Sequence, residues 1–446
     1  MDPVASPGPD LRSLRRRLHQ IPEIGLDLPL TQAVVLEALS GLDLEVTTGK
    51  ALSSVVAVLR GKAPTDSVRP VILLRADMDA LPVTEELDHA WVSAHPGVMH
   101  ACGHDLHVAG LIGAAHRLHA RRHELVGDVI LMFQPGEEGP GGATLMIEEG
   151  VLTAAGRRAD AAYAVHVFSA EHPLGTWFGR PGPLMASSDE VTITVHGEGG
   201  HGAAPHRTKD PVPVACEIVL ALQSMVTRRF YAFDPVVVTV GRIAAGTKNN
   251  IIGGEAVLEL TVRTFSSSHR RAIRTEIERV ASGVASAHAM TVTLTEHEGY
   301  AATINDATEQ AFAEDTLRDL FGAGRWVDQA FPEAGSEDMS FVLEQVPGAY
   351  VNVSACPAGA DPATAPDNHS PRADFDDSVV PDIADFLCAI ALRRSTALAA
   401  TVAPPAGLEP VDRALPVTWP VCENGLLTCM FGDGSSGQDR SAEATD

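Results

Sequence analysis

Short apolar runs of strand length recur through the first part of the chain, and each breaks off into a cluster of polar side chains. Residues 72–74 lead into Arg75-Ala76-Asp77-Met78-Asp79, residues 129–133 into Gln134-Pro135-Gly136-Glu137-Glu138, and residues 163–165 into His166. Alternation and turn residues predict strands at 55–59, 71–74, 128–133 and 161–167, with helices at 108–119 and 143–149 between them. That rhythm specifies an α/β layer on a largely parallel sheet. In such sheets the carboxyl ends of the strands open onto one crevice. The polar clusters, distant in sequence, are therefore expected to share a site.

From 184 to 298 the rhythm changes. A strand at 190–196 is followed by a helix at 211–229, which Pro211 opens after Asp210. Strands at 236–243 and 256–264, a helix at 268–288 and a strand at 291–296 complete the set. The order β-α-β-β-α-β is that of a ferredoxin-like α+β unit. It predicts an inserted domain at 184–298, splitting a catalytic domain into 10–183 and 299–395. After it the α/β pattern resumes, with a helix at 307–321, a strand at 350–353 and a helix at 379–392. From 396 the prolines 404, 405, 416 and 420 and the polar run 432–446 predict a partly disordered tail. Gly197-Glu198-Gly199-Gly200-His201-Gly202 fits GxGxxG, but Pro205 intervenes and the helix opens only at Pro211, so no dinucleotide site is expected. His201, on that glycine-rich loop, is a candidate for touching substrate.

Composition removes several functions. Asp and Glu number 58 against 33 Lys and Arg, a net charge of −25. Nucleic acid and anionic membrane surfaces attract clustered cations, so neither is an expected partner. No window approaches the roughly 20 apolar residues that span a bilayer. The six cysteines form no CxxC pair, and the basic N-terminus has no apolar stretch behind it. A cytoplasmic protein with reduced thiols is expected. Eighteen histidines point towards metal or acid–base chemistry.

Two further clusters carry donors. Met99-His100-Ala101-Cys102-Gly103-His104-Asp105 places Cys102 and His104 two apart in a glycine-containing turn, so both can face one ion. Asn368-His369-Ser370-Pro371 lies in a loop after the last strand. Thiolate, imidazole and carboxylate suit zinc, manganese or cobalt. Taken singly these residues are ambiguous: Cys102 as a packed thiol, Glu137-Glu138 as a solvated pair, His166 as a core imidazole, Asp77 and Asp79 as turn caps. Their common position at strand ends and loop tips favours a site. Adjacent glutamates there can divide the work, one binding metal and the other taking a proton from water.

These motifs resemble the M20 family of metal-dependent amidohydrolases and peptidases, in the branch with hippurate hydrolases, N-acyl-amino-acid deacylases and auxin-conjugate hydrolases. The resemblance runs from about Leu11 to Leu392. It is carried by Leu18-His19 with Pro22-Glu23, by residues 75–82, 99–105 and 134–138, by Gly199-Gly200-His201 with Pro205-His206, by Gly335-Ser336-Glu337-Asp338 and by residues 368–371. It implies a zinc-peptidase-like catalytic domain whose insert serves as lid and dimerisation domain. It implies that Cys102, His104, Glu138, His166 and His369 hold two divalent ions (zinc, manganese, cobalt or nickel), with the thiolate bridging. Glu137 would be the base and Asp79 a supporting carboxylate. Asn250, Arg263 and Gly335 would hold the substrate carboxylate, while His201 would reach the partner's site across a homodimer. The substrate would be an N-acyl amino acid or related conjugate. A dipeptidase, a carbamoyl-amide hydrolase and a silent metal-binding homologue remain as competing readings. Gly253-Gly254, Leu106 and Met339 depart from the family's usual residues.

Overall fold

The computed structural model describes residues 8–66 and 68–402. Helices α1 (Leu11–His19) and α2 (Pro29–Leu39) precede strands β1 (Glu45–Thr48), β2 (Val55–Arg60) and β3 (Val71–Asp77). Helix α3 (His104–Ala120), strand β4 (Asp128–Gln134) and helix α4 (Gly142–Glu148) come next, then strands β5 (Ala161–Phe168), β6 (Trp177–Gly179) and β7 (Gly182–Met185). The middle of the chain holds β8 (Asp189–His196), β9 (Gly200–His201), α5 (Pro211–Arg229), β10 (Val236–Ala245), β11 (Ile251–Ile252), β12 (Glu255–Thr264), α6 (Ser267–Ala287) and β13 (Thr291–Glu298). The remainder is β14 (Thr303–Asn305), α7 (Ala307–Phe321), β15 (Trp326–Asp328), α8 (Ser340–Leu343), β16 (Gly348–Ser354) and α9 (Val380–Val402).

Eight strands form one mixed sheet in the order β1-β2-β4-β3-β5-β16-β6-β15. Its centre, β4-β3-β5-β16, is parallel. Alternate side chains feed two cores. Ile72, Leu74, Val129, Leu131, Tyr163 and Val165 pack with α1, α2, α3 and α9. Leu73, Ile130, Met132, Ala162 and Ala164 pack with α4 and α8. A sheet covered on both faces needs apolar residues at every position, which explains the uninterrupted apolar runs. Arg75, Asp77, Gln134 and His166 share the parity of the α4 face.

Residues 189–298 build a separate four-stranded sheet in the order β10-β12-β8-β13, antiparallel throughout. Its strands share a third core with α5 and α6, including Ile193, Val195, Ile218, Leu258, Ile273 and Ile277. This is the ferredoxin-like arrangement expected from the pattern. In place of a nucleotide loop, Gly200–His201 forms a short ribbon with Ile251–Ile252, and α5 opens only at Pro211.

The last helix differs from the expected tail. It continues past Thr396 to Val402, because 395–400 is the helix-favouring run Ser-Thr-Ala-Leu-Ala-Ala and the first proline stands at 404. The rest of the expected tail lies outside the described residues. No helix among the described residues is long and apolar enough to cross a membrane.

Candidate active site

Register brings the clusters together. On β3 and β4, Asp77 stands opposite Gln134, so Asp79 arrives beside the turn that follows β4. On β3 and β5, Arg75 stands opposite Ala164, which sets His166 level with Asp77. Asp79 is fully buried, and its two carboxylate oxygens accept the backbone N–H groups of Glu137 and Glu138, each at 3.0 Å. One carboxylate thus fixes the turn that carries both glutamates.

Cys102 and His104 come from the entry to α3. Gly103 between them is left-handed, with φ 82°, and a Cβ there would stand 2.4 Å from Val167 Cγ2. Only glycine lets this turn lie against β5 while aiming both neighbours inward. His369 also has a left-handed backbone, φ 69°, held by its N–H to the Ala101 carbonyl at 2.8 Å. Asn368 anchors the same loop, accepting from Ser169 N–H at 2.9 Å and donating to the Val167 carbonyl at 3.0 Å. Strain of this kind persists where the surroundings over-determine the backbone.

Several groups of donors lie within ligand range of one another, including His104 with Asp77 and His107 and Glu137 with His104 and Glu138 or with Glu337 and Asp338, and two of the groups overlap at Cys102. Cys102, His104 and His166 form one, and Cys102, Glu138 and His369 the other, with ligand atoms within 4.8 Å of one another in each. Cys102 belongs to both. Its Sγ is 3.4 Å from His166 Nε2, and His369 Nε2 is 3.4 Å from Glu138 Oε1. His104 Nδ1 donates to the Asp79 carbonyl at 2.8 Å, which leaves Nε2 as the nitrogen that can face an ion. That Nε2 and His166 Nδ1 are buried without a hydrogen-bond partner.

Charge tells the same story. Burial opposes a charged His104, but Asp77 and Cys102 outweigh it and hold its imidazole well above the usual range. Hydrogen bonds to Cys102 and Glu138 raise His369 to about 10. Burial, then Glu138, pushes the Cys102 thiol up. Protons held this tightly by clustered anions mark positions that a divalent cation would take instead. The donor set of thiolate, imidazole and carboxylate fits such an ion.

Beside these donors, Glu137 is buried, and burial together with Glu337, Glu138 and Asp338 raises its carboxyl well above the usual range. Behind it, fully buried Arg75 binds Asp77 at 2.5 Å, Glu337 at 2.8 Å and Asp338 at 2.9 Å. Gln134 donates to Asp338 at 2.7 Å, and the Tyr350 hydroxyl donates to Glu337.

A cavity of about 530 Å³ exposes Cys102, Glu137, Glu138, His166 and His369 together with Arg263 and Gly335. Asn250 and His201 are elsewhere: exposed on and beside the β9–β11 ribbon, they do not line that cavity. Two contributors escaped the sequence reading. Asp77 accepts from His107 Nδ1 at 2.6 Å, and His107 Nε2 accepts from Val167 N–H at 2.9 Å. The spacing of His104 and His107, one helical turn apart, was the available signal. Tyr300, whose hydroxyl reaches the Glu137 carbonyl, left no signal at all.

The family profile described as Peptidase family M20/M25/M40 matches residues 73–393. The chain belongs to the M20 peptidase family. As a member it is a hydrolase of amide bonds. It is 36% identical over 343 residues to the N-acetyldiaminopimelate deacetylase of Shouchella clausii, covering 76% of this chain and 88% of that relative. It is 33% identical over 385 residues to the IAA-amino acid hydrolase ILR1-like 4 of Arabidopsis thaliana, covering 85% and 84%. Among solved structures it superposes on the Bacillus subtilis YXEP protein, a dinuclear metal-binding peptidase of the M20 family. That match has a TM-score of 0.74 and 30% identity, covering 86% of this chain and 98% of the other.

Proposed function

We propose that this M20 chain cleaves the amide bond of N-acyl amino acids or related amino-acid conjugates at a two-metal centre. The observation that carries the reading is Cys102, shared between two sets of ligand atoms and lining one cavity with the buried Glu137; Glu137 is itself within ligand range of His104 and Glu138, and the reading gives it the proton rather than the metal. In this proposal Cys102, His104, Glu138, His166 and His369 hold two divalent ions. When bound, these would polarise the acyl carbonyl and make a nearby water acidic.

The protein's own groups do the rest. Glu137 takes a proton from the attacking water and passes it to the leaving amine. Asp79 keeps Glu137 and Glu138 in register by holding both N–H groups. Arg263 and Gly335, in the cavity wall, receive the substrate carboxylate, for which a guanidinium fork is suited. The positions of His201 and Asn250 outside the cavity support a homodimer in which His201 of the partner subunit completes the site and stabilises the developing oxyanion. The unit at 189–298 then serves as lid and dimer contact. Free thiols at Cys102, Cys216, Cys356 and Cys388 support a reducing, cytoplasmic setting.

Glu137→Gln tests the reading. It should keep its metal and lose turnover on N-acetyl and N-benzoyl amino acids by roughly 10²- to 10⁴-fold. Full activity in that variant would end the proposal. Running dipeptides and carbamoyl amides beside the acyl amino acids decides the substrate class.

A further inference from the structure

The turn that carries Glu137 is gripped from two sides. Asp79 holds its N–H groups from β3, as described. On the other side the Tyr300 hydroxyl donates to the Glu137 carbonyl at 2.5 Å and accepts from Gly139 N–H at 3.1 Å. Tyr300 belongs to neither β3 nor β4. It stands just beyond the end of β13, where the chain leaves the four-stranded sheet. Its partner across that exit is Ser188, just before β8. Ser188 N–H reaches the Tyr300 carbonyl at 2.9 Å, and Tyr300 N–H reaches Ser188 Oγ at 3.2 Å. The two segments joining the four-stranded sheet to the rest of the chain are thus bonded to each other at the residue that also holds the turn. The ring is seated edge-on against Phe341, with centroids 6.0 Å apart, and lines the cavity.

We infer that Tyr300 is a positioning residue that ties the seat of the four-stranded unit to the turn bearing Glu137. The inference rests on the proposal that Glu137 carries the proton. One hydroxyl ties the Glu137 carbonyl and the Gly139 N–H, which also bond each other at 2.8 Å, to the 186–189 and 298–301 segments, so the turn is held from this side as well as by Asp79. A displacement of the unit carries the hydroxyl away and loosens the turn on that side, leaving the Asp79 bonds to hold it alone. Because proton transfer falls steeply with small misplacements of the base, the unit's position gates turnover through this one side chain. Tyr300 acts through Glu137 and touches no reacting atom in this scheme.

Tyr300→Phe removes the hydroxyl and keeps the ring. With the Gly139 N–H still donating to the Glu137 carbonyl at 2.8 Å, its folding stability and metal content should match the wild type. Its kcat should fall roughly three- to tenfold, the value of one or two neutral hydrogen bonds, with KM within about twofold. In a Glu137→Gln background, where residual turnover is read with concentrated enzyme over long incubations, the same change should add no further loss. An unchanged kcat overturns the inference, as does a raised KM at constant kcat, which would make the hydroxyl a substrate contact. The same fractional loss in the Glu137→Gln background also overturns it, since Tyr300 would then act by another route. Full activity of Glu137→Gln alone instead removes the underlying assignment, and the inference with it, so the two failures are told apart.

Discussion

Asp79→Asn is the sharpest probe of how the site is held. In the wild type each carboxylate oxygen accepts one backbone N–H, from Glu137 and Glu138, at 3.0 Å, in a site where Asp79 is 1% exposed. Hydrogen bonds to a charged acceptor contribute about 1.5–3 kcal/mol each. The asparagine keeps one acceptor and turns the other into an NH₂ that faces an N–H. One bond weakens to a neutral one, and the other is replaced by two buried donors pointing at each other, which costs roughly a further 1–3 kcal/mol. The total is about 2–5 kcal/mol, divided between a less stable fold and a displaced turn. The assay is urea unfolding of metal-depleted wild type and variant, which removes any contribution from bound ions, together with turnover of the metal-loaded proteins on an N-acetyl amino acid. The unfolding midpoint should drop, and kcat should fall by at least about tenfold. Equal midpoints and equal turnover would refute the claim that Asp79 shapes the turn.

Three further outcomes follow from other parts of the structure. Gly103→Ala forces a Cβ to within 2.4 Å of Val167 at φ 82°; the variant should retain less metal after dialysis and lose about 1–3 kcal/mol of stability, and wild-type metal content would contradict this. Arg75→Met strips the cation from Asp77, Glu337 and Asp338, a change that costs roughly 3–5 kcal/mol, so a urea midpoint equal to the wild type would show the cluster to be dispensable. Burial raises Glu333 from 4.5 to about 7, with Glu171 and Asp367 adding to it against Gln329. The folded chain therefore keeps a proton that the unfolded chain has lost, and the associated stability is full at low pH and disappears as pH rises through about 7. Glu333→Gln, neutral throughout, should show a shallower decline in unfolding midpoint between about pH 5 and pH 7.5, and identical slopes would refute the assignment.

Much of the site was readable because the parallel strands announce themselves. The runs before Arg75, Gln134 and His166 are apolar on both faces, so their polar ends stand out and converge by topology. The glycine between Cys102 and His104 was equally visible, although the reason for it, the approach of Val167 and Phe375, needed the fold. What stayed hidden depends on short elements or long separations. Strands β6, β7, β14 and β15 are three or four residues long and carry no periodicity to detect. The tie between Tyr300 and Glu137 spans 163 residues, and no local pattern encodes it. Arg75 read only as part of a motif, whereas in the fold it is the cation that lets three carboxylates share the interior. The helix beyond Thr396 was missed because prolines further on outweighed the local alanines.

Titrating metal-free protein probes the two-metal centre at Cys102. Zinc or manganese is added stepwise while hydrolysis of an N-acetyl amino acid is followed. No turnover is expected without metal, and the rate should level off at two equivalents per chain. Full turnover without metal, a plateau at one equivalent, or no hydrolysis of any N-acyl amino acid at saturation would contradict the proposal.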